Sequence, residues 1–467
     1  MSRINTNVSS LIAQRVYRNN NDSLNQSLER LSTGYKINSG KDNPAGLIAS
    51  ENLKAEQTGL TTAIDNAQRA DNIIGTAEGG LNEVSSLLNQ LQGLVSSTAN
   101  SGGLSIEEKQ ANQLQVDSIL GTINRIAAST SFQGKKLLNG SLDYTTSSVT
   151  STAIDNLHVN AARLADGATG SVVVQVVASA TTAKVGYTSG TITGATATIE
   201  VAGNAGAEQL SFASGTNTSA VVAAVNAVKA ATGVSATLSG SDIRFESTEF
   251  GSGQFVSVSA IAGTFTLATN KATGTDANVT VNGAQAQTDG IHVSFRNSNL
   301  DVDFDLDSTF NAPGSTTFGI TGGGATFALG SKVTETDKAS IGVFSVSTGS
   351  LGDLTNGFLS SLGSGGANSL TGTNLGTAQK VIDKAIKQVS QLRGRLGAFQ
   401  KFTIGSTINS LGVAYENASA AESAIADTDF AQETSNLTRA QILSQASSTV
   451  LAQANSAPQS ALSLLRG

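Results

Sequence analysis

The chain contains no cysteine, no tryptophan and only three prolines among 467 residues. Without cysteine there can be no disulfide, no thiol nucleophile and no cysteine-ligated metal. Because proline is the residue that most strongly interrupts a helix, its scarcity leaves room for very long helices. Aromatic residues are also few, at 4% of the chain, so we expect thin cores built largely from small aliphatic side chains.

Basic charge is also scarce, since the formal net charge is −7 and no basic stripe is present. This balance argues against a nucleic-acid partner, because phosphate binding needs clustered lysine and arginine. No stretch approaches the roughly 18 apolar residues of a membrane span, and residues 1–21 lack the apolar region of a cleaved signal peptide. We therefore expect no membrane insertion, and if the protein leaves the cell it must do so by a route that does not use a cleaved signal peptide.

The sequence has neither a phosphate-binding GxxxxGK[ST] loop nor an HExxH zinc motif. Its two histidines, His158 and His292, are too few to make a Ser/His/Asp triad a reasonable expectation. Both are expected to be surface residues. The sequence therefore predicts no catalytic site, no cofactor and no metal.

A seven-residue apolar repeat dominates the N-terminal zone, residues 1–140. Its positions are Leu53, Leu60, Ala67, Ile74, Leu81, Leu88 and Val95, with Ala63, Ala70, Ala77, Val84 and Leu91 three residues further on. Such a seam, sustained for about six heptads, indicates a coiled-coil helix. A second repeat near the C-terminus has Leu375, Ile382, Val389 and Leu396, with Ala378, Ala385, Leu392 and Phe399. Packing the two zones together would bury both stripes.

The extreme ends of the chain carry narrower stripes among many Asn, Ser and Gln residues. One buried leucine contributes only about 1.5–3 kcal/mol. Ordering the backbone costs roughly 1–2 kcal/mol per residue. Isolated tails should therefore be marginal and become ordered when they pack against partners, although frayed ends without a role remain an alternative.

The middle zone alternates apolar and polar residues in short segments separated by glycine, as strands do. Predicted strands include residues 172–174, 197–201, 243–245, 255–258 and 292–295, and a short helix is predicted at about 219–231. The fold class is therefore α+β. We expect an elongated, multi-domain chain in which both ends form a long antiparallel helical bundle around an inserted, mainly-β outer region.

A row of four aspartates, Asp301, Asp303, Asp305 and Asp307, also follows strand alternation. Neighbours on one face of a strand lie too far apart to supply the six to eight oxygens of a calcium shell. The favoured interpretation is a solvated face that discourages edge pairing.

Several segments resemble the terminal signatures of bacterial flagellins. They are RLSTGYKINSGKDNPAGL at residues 30–47, TSFQGKKLLNG at 130–140, the stretch 414–440 and the final SLLRG at 463–467. A strand–helix–strand unit near 190–262 is similar to a repeat found in the outer parts of flagellins and hook-associated proteins. Together the terminal matches cover about half of the chain, at both ends and in the right order.

The resemblance implies a three-layer arrangement. Residues 1–45 and 425–467 would form helical tails that line the inner tube of a filament, 46–141 and 371–424 the surrounding helical layer, and 142–370 the exposed outer region. The residues expected in the inner tube are Leu24, Leu28, Leu31, Phe430, Leu437 and Val450. Those expected in the core of the helical layer are Ile74, Leu81, Leu88, Ile382, Val389 and Leu396.

The same resemblance implies a structural subunit that polymerises into the filament used as a propeller. It implies type III export to the cell exterior, a chaperone on the C-terminal tail, and contact with cap and hook-associated proteins. Many flagellins also bind an innate immune receptor through a helical patch. Here Gln90 and Gln115 stand where charged residues are usual and only Leu94 fits the pattern, so weak activation is expected.

Two other functions remain open at this point. A hook–filament junction protein has similar ends but forms a single ring. A secreted adhesin would act through residues 142–370. The full set of terminal motifs and the long outer insertion favour the filament subunit.

Overall fold

The computed structural model describes residues 6–100, 103–164, 168–187, 196–240, 242–263, 265, 267 and 269–466, with side chains to residue 457. The chain divides into two compact units. The first comprises Met1–Ala67, Leu329–Val333 and Ser406–Gly467, and the second comprises Gln68–Ala328 and Thr334–Gly405. Among the described helices, none has the length and apolar character needed to cross a bilayer.

Long helices occupy both ends of the chain, and two short helices lie in its middle. They are α1 (Val8–Thr33), α2 (Pro44–Thr98), α3 (Ile106–Ser129), α4 (Thr218–Ala227), α5 (Lys229–Thr232), α6 (Leu375–Ala398), α7 (Gly405–Ala426) and α8 (Phe430–Arg466). A π-helical turn, Phe399–Ile404, joins α6 to α7. Pro44 is the first residue of α2, where its missing N–H is not needed. Ser105 caps α3 in a reciprocal pair of hydrogen bonds with Glu108.

The helical layer of the second unit is built on the predicted heptads. Its buried apolar positions run from Ala70 to Val95 on α2 and from Ala378 to Leu396 on α6. The helices are antiparallel, because Glu78 pairs with Arg393 (Oε1–Nε 2.8 Å) whereas the later residue Gln92 donates to the earlier Asp383 (3.2 Å). The predicted antiparallel bundle is confirmed.

The middle of the chain is a series of antiparallel strands. The first group is β1 (Ser131–Phe132), β2 (Lys135–Lys136), β3 (Tyr144–Ser147), β4 (Ile154–Ala162), β5 (Gly170–Ala178), β6 (Thr182–Tyr187), β7 (Ala197–Gly203), β8 (Gly206–Phe212), β9 (Val234–Ser239), β10 (Asp242–Phe250) and β11 (Phe255–Ala262). The second group is β12 (Lys271–Thr273), β13 (Asn278–Val281), β14 (Ala284–Gln285), β15 (Gln287–Asp289), β16 (His292–Arg296), β17 (Leu300–Leu306), β18 (Gly314–Gly323), β19 (Ala325–Ala328), β20 (Lys338–Ile341), β21 (Gly352–Asp353) and β22 (Gly357–Phe358). Each of the five predicted strand segments lies within one of these strands.

Two sheets share one apolar core. Their strand orders are β14-β13-β5-β18-β3 and β15-β16-β17-β4. Alternate residues of β5 (Val172, Val174 and Val176) are buried in this core together with Phe304 and Phe318. Period-two alternation therefore places one face of each sheet inside, as the sequence predicted.

A second core lies between the sheets β6-β10-β9 and β12-β11-β7-β8. Helix α4 adds Val221 and Val225 to it, and the Asn217 side chain caps this helix by accepting from the N–H of Ala220. The predicted helix at about 219–231 is thus found as α4 and the short α5. Residues 190–195, the start of the predicted strand–helix–strand unit, lie outside the described residues.

The aspartate row does not protect a sheet edge, and that interpretation was wrong. Strand β17 lies inside its sheet, between β16 and β4, so both of its edges are already paired. The carboxylates have partners: Asp301 accepts from Arg296 Nε at 2.6 Å, and Asp305 lies 2.6 Å from His292 Nδ1 and 3.6 Å from Lys384 Nζ on α6. A helix from a distant part of the sequence covers this polar face.

The surface position predicted for His158 was also wrong. Its ring lies on β4 and packs against Phe344, with ring centroids 4.8 Å apart. Burial and, to a smaller extent, the positive charge of Arg395 together lower the pKa of His158 to about 4. The residues next to His158 on β4 do not reveal this contact, because Phe344 is distant in the sequence.

Candidate assembly surface

The two terminal helices, α1 and α8, form an antiparallel pair in the first unit. Asn7 Nδ2 donates to the carbonyl of Ala454 (2.7 Å), and Asn20 Nδ2 donates to that of Leu443 (3.1 Å). At the other end of α1, Arg30 Nη1 lies 3.7 Å from Glu433 Oε2. The long asparagine- and serine-rich stretches of the sequence therefore provide the hydrogen bonds that set the register of the pair.

The seam between these helices is small and polar. Its buried residues are Ser10, Ala13 and Ser27 on α1, and Glu433, Ala440 and Ser447 on α8. Small side chains allow close approach but bury little apolar area, and burial scales with that area. The pair is therefore held by hydrogen bonds and close packing, with little hydrophobic stabilisation.

Large apolar side chains of the same two helices point outward. They are Val8, Leu11, Ile12, Val16 and Leu28 on α1, and Phe430, Ile442, Leu443 and Val450 on α8, each between 42% and 61% exposed. Ile12, Val16, Leu443 and Val450 line an apolar groove of about 290 Å³ between the helices. Exposed apolar side chains that line a common groove are typical of protein–protein contact sites.

The six residues predicted for the inner tube have different environments in the single chain. Leu28, Phe430 and Val450 are exposed, at 48%, 57% and 58%. Leu24, Leu31 and Leu437 are half-buried.

The prediction missed Ile12 and Val16. Together with Val8 they follow a helical spacing of four residues, and this spacing was the available signal.

A tight connection leads from α1 into α2. Gly34 ends α1 with a left-handed φ of 79°, and the next residues pair with the α7–α8 junction through Lys36 N to Ala426 O (2.6 Å) and Thr428 N to Gly34 O (2.9 Å). Asp42 accepts from the N–H and hydroxyl of Ser39 (both 2.9 Å), and these hydrogen bonds lower its pKa. The signature segment 30–47 is thus a structured corner that fixes the start of α2.

Within this corner, Gly46 has a packing role. An added Cβ would lie 2.6 Å from both the Asn43 side chain and Ile37 Cδ1, closer than real contacts allow. Any larger residue at this position would therefore require the Asn43 and Ile37 side chains to shift.

The six residues predicted for the core of the helical layer are buried in the second unit. Ile74, Leu81 and Leu88 on α2 are 0–3% exposed, and Ile382, Val389 and Leu396 on α6 are 0–1% exposed. Between the α3 and β3 segments, Gln133 (φ 48°) and Gly134 (φ 82°) form the turn of the β1–β2 hairpin. This turn lies within the TSFQGKKLLNG segment at residues 130–140.

The three positions of the predicted receptor patch lie on helices. Gln90 on α2 and Gln115 on α3 are exposed, whereas Leu94 on α2 is half-buried.

The chain matches family models of flagellins at three places. Residues 4–143 match the bacterial flagellin N-terminal helical region, residues 379–465 the C-terminal helical region, and residues 191–249 the flagellin hook IN motif. The first two matches correspond to the helical zones, and the third to the segment that carries α4 and its sheets.

Curated relatives match over nearly the full length. Polar flagellin B/D of Vibrio parahaemolyticus is 32% identical over 470 residues, and flagellin D of Vibrio cholerae is 30% identical over 477 residues, each alignment covering 99% of both chains. Among solved structures, FliC from Burkholderia pseudomallei is 17% identical and covers 71% of this chain and 99% of its own, with a TM-score of 0.25.

The sequence relatives and the terminal family matches agree with the paired terminal helices and the heptad layer described above. The chain belongs to the bacterial flagellins and is a structural subunit of the flagellar filament.

Proposed function

We propose that α1 and α8 drive polymerisation by burying their outward apolar side chains against neighbouring copies in the inner tube of the filament. This proposal rests on how the side chains of the pair are distributed. Mostly small and polar residues lie in the seam between the two helices, whereas the large apolar side chains named above, from Val8 on α1 to Val450 on α8, are exposed. Covering a half-exposed Leu or Ile contributes on the order of 1 kcal/mol. Each subunit offers many such residues, so the sum favours assembly.

Assembly and ordering of the tails are coupled in this proposal. A pair that lacks a large apolar seam gains little against the roughly 1–2 kcal/mol per residue needed to order its backbone. Neighbouring subunits supply the missing burial. The tails correspond to the predicted segments 1–45 and 425–467, and their predicted inner-tube residues are Leu24, Leu28, Leu31, Phe430, Leu437 and Val450.

The heptad layer, predicted at 46–141 and 371–424, provides a preformed body that positions the tails. Its apolar seam is already buried within one chain, at Ile74, Leu81, Leu88, Ile382, Val389 and Leu396. Contacts between neighbouring subunits at this level therefore use its outer faces. Residues 142–370 face the medium and tolerate sequence change because they contribute little to the polymer core.

The filament is extracellular in this proposal, and the chain reaches it unfolded through type III export without a cleaved signal. A chaperone covers the exposed apolar side chains of the C-terminal tail beforehand, and the cap and hook-associated proteins receive the subunit at the distal end. An innate immune receptor responds weakly, because Gln90 and Gln115 lack charge and Leu94 is half-buried. No catalytic step is proposed.

The test is polymerisation of purified monomer on short filament seeds, viewed by electron microscopy. We expect long uniform tubes from the full chain, and none from variants that lack residues 1–40 or 430–467. Circular dichroism of the shortened variants checks that the heptad layer and the sheets remain folded. Closed rings from the full chain would instead indicate a junction protein, and persistent monomers would contradict the proposed role of the tails.

A further inference from the structure

A polar cleft of about 490 Å³ lies in the second unit between α6 and the sheet that contains β17. Asp303 and Asp305 belong to its sheet wall, and Lys384, Gln391 and Arg395 to its helix wall. This volume falls within the range of 300–1,000 Å³ typical of small-molecule sites. None of the residues that line this cleft belongs to α1 or α8.

The helix wall and the sheet wall each keep unused hydrogen-bonding capacity. Arg395 Nη1 is buried and has no hydrogen-bond acceptor among the described residues. An unsatisfied charged donor in the interior is costly, so such groups are rare unless they have a role. Across the cleft, Asn160 Nδ2 donates to Asp303 at 2.5 Å, which is the one side-chain hydrogen bond that Asp303 receives from the described residues. Its other lone pairs remain available.

Charge in the cleft is nearly balanced. Asp303 and Asp305 face Arg296, Lys384 and Arg395, and Asp301 beside the cleft pairs with Arg296. Burial lowers the pKa of Arg395, an effect that Asp303 and Asp301 oppose. Since neither sign dominates, an ionic ligand would meet repulsion from one set of groups whichever charge it carried. A neutral ligand with both donors and acceptors fits better.

We propose that this cleft binds a small neutral polyol of about monosaccharide size. One hydroxyl oxygen accepts from Arg395 Nη1, and a neighbouring hydroxyl donates to Asp303. Ser294 and Gln391, which also line the cleft, supply further hydrogen bonds at its edge. Phe344 and His158 also line the cleft and pack against each other, with ring centroids 4.8 Å apart.

The test uses the full-length monomer and ligand-detected saturation-transfer NMR. The probes are D-glucose, D-galactose, D-mannose, N-acetyl-D-glucosamine and myo-inositol at millimolar concentration, with acetate as the anionic comparison. We expect a signal from at least one polyol and none from acetate. Asp303→Asn and Gln391→Ala should each weaken binding by about tenfold, the loss of one good hydrogen bond.

Asp289→Asn is the matched control, because Asp289 is exposed on β15 of the same sheet and does not line the cleft. It should bind as the parent does. Gln391 is exposed on α6, so its replacement tests the cleft even if Asp303→Asn unfolds the sheet. Absence of signal from all five polyols, a signal from acetate alone, or equal affinity in the Asp289 and Gln391 variants would overturn the proposal. Tubes still forming in the seeded assay would show that the filament function stands independently.

Discussion

The chain contains two antiparallel helix pairs that are stabilised in different ways. The α2–α6 pair buries Leu81, Leu88 and Val389 in its own seam, whereas the α1–α8 pair buries Ser10, Ser27 and Ser447. In the first pair the apolar stripe faces inward, and in the second the apolar side chains face outward. The contrast shows that the face which two helices turn towards each other decides whether their apolar side chains are buried within one chain or stay exposed.

Truncation of a heptad residue is expected to have the largest effect on this contrast. Leu88→Ala removes a side chain that is 0% exposed, and such changes cost about 2–5 kcal/mol of unfolding free energy. Leu28→Ala, at a position 48% exposed in the tails, should change that free energy by less than about 0.5 kcal/mol. Urea titrations of monomer followed by circular dichroism measure both, and equal losses would remove the distinction between the pairs.

Acid should weaken the second unit through His158. Its folded pKa of about 4 lies below its ordinary value of 6.5. The unfolded chain therefore binds the proton first, and stability present above pH 6.5 is lost as the pH falls towards 4. The loss can reach about 3 kcal/mol. The variant His158→Gln should lose less unfolding free energy over the same pH range.

Urea titrations of parent and His158→Gln between pH 6.5 and 4.5 test this dependence. The lower limit avoids most of the titration of Asp305, whose pKa is lowered to about 2 in the folded chain. Burial alone would raise this pKa, but hydrogen bonds from His292 and Asn156 and the positive charge of Lys384 lower it. Identical pH slopes in the two proteins would show that another group controls the acid response.

The outward side chains of the tails can be tested without unfolding the monomer. Ile12→Ser removes an apolar side chain that is 50% exposed, so monomer stability should hardly change while the critical concentration for filament growth rises about tenfold or less. Asn19→Ser, at an exposed polar position of the same helix, is the control. Seeded growth at several monomer concentrations gives the critical concentration of each variant. Equal critical concentrations for the two variants would argue against burial of Ile12 in the filament.

The smallest effect is expected at the ion pair of the heptad layer. Glu78 and Arg393 are each about one-third exposed and their closest atoms are 2.8 Å apart, so Glu78→Gln should cost at most about 1 kcal/mol. High salt should lessen the cost by screening the pair. A loss that is larger than this and independent of salt would mean that Glu78 acts through packing.

The parts of the fold that follow from local periodicity could be predicted from the sequence. Within a single segment, the spacing of the apolar residues predicts both the type of element and the face that is buried. This applies to the heptads around Ile74 and Ile382 and to the alternation at residues 172–174. The β1–β2 turn was equally local, since Gln133 and Gly134 supply the positive φ angles.

The sequence could not predict contacts made by distant segments. The aspartate row on β17 has a periodicity that suits either an exposed edge or a covered interior strand, and the cover comes from Lys384 on α6. His158 likewise depends on Phe344. For the tails, the outward stripe was visible as a pattern, but which face meets α8 depended on hydrogen bonds such as Asn7 to Ala454.

The π-helical turn at Phe399–Ile404 shifts the seven-residue apolar repeat of the C-terminal helices by one residue. Leu396 and Ile404, both nearly fully buried, are eight positions apart, one more than a heptad. From Ile404 the spacing of seven resumes through Leu411 to Ala418. A π-turn accommodates one added residue in a helix. The heptad count therefore restarts at Ile404, and deleting one residue between 397 and 403 would merge both counts into a single uninterrupted repeat.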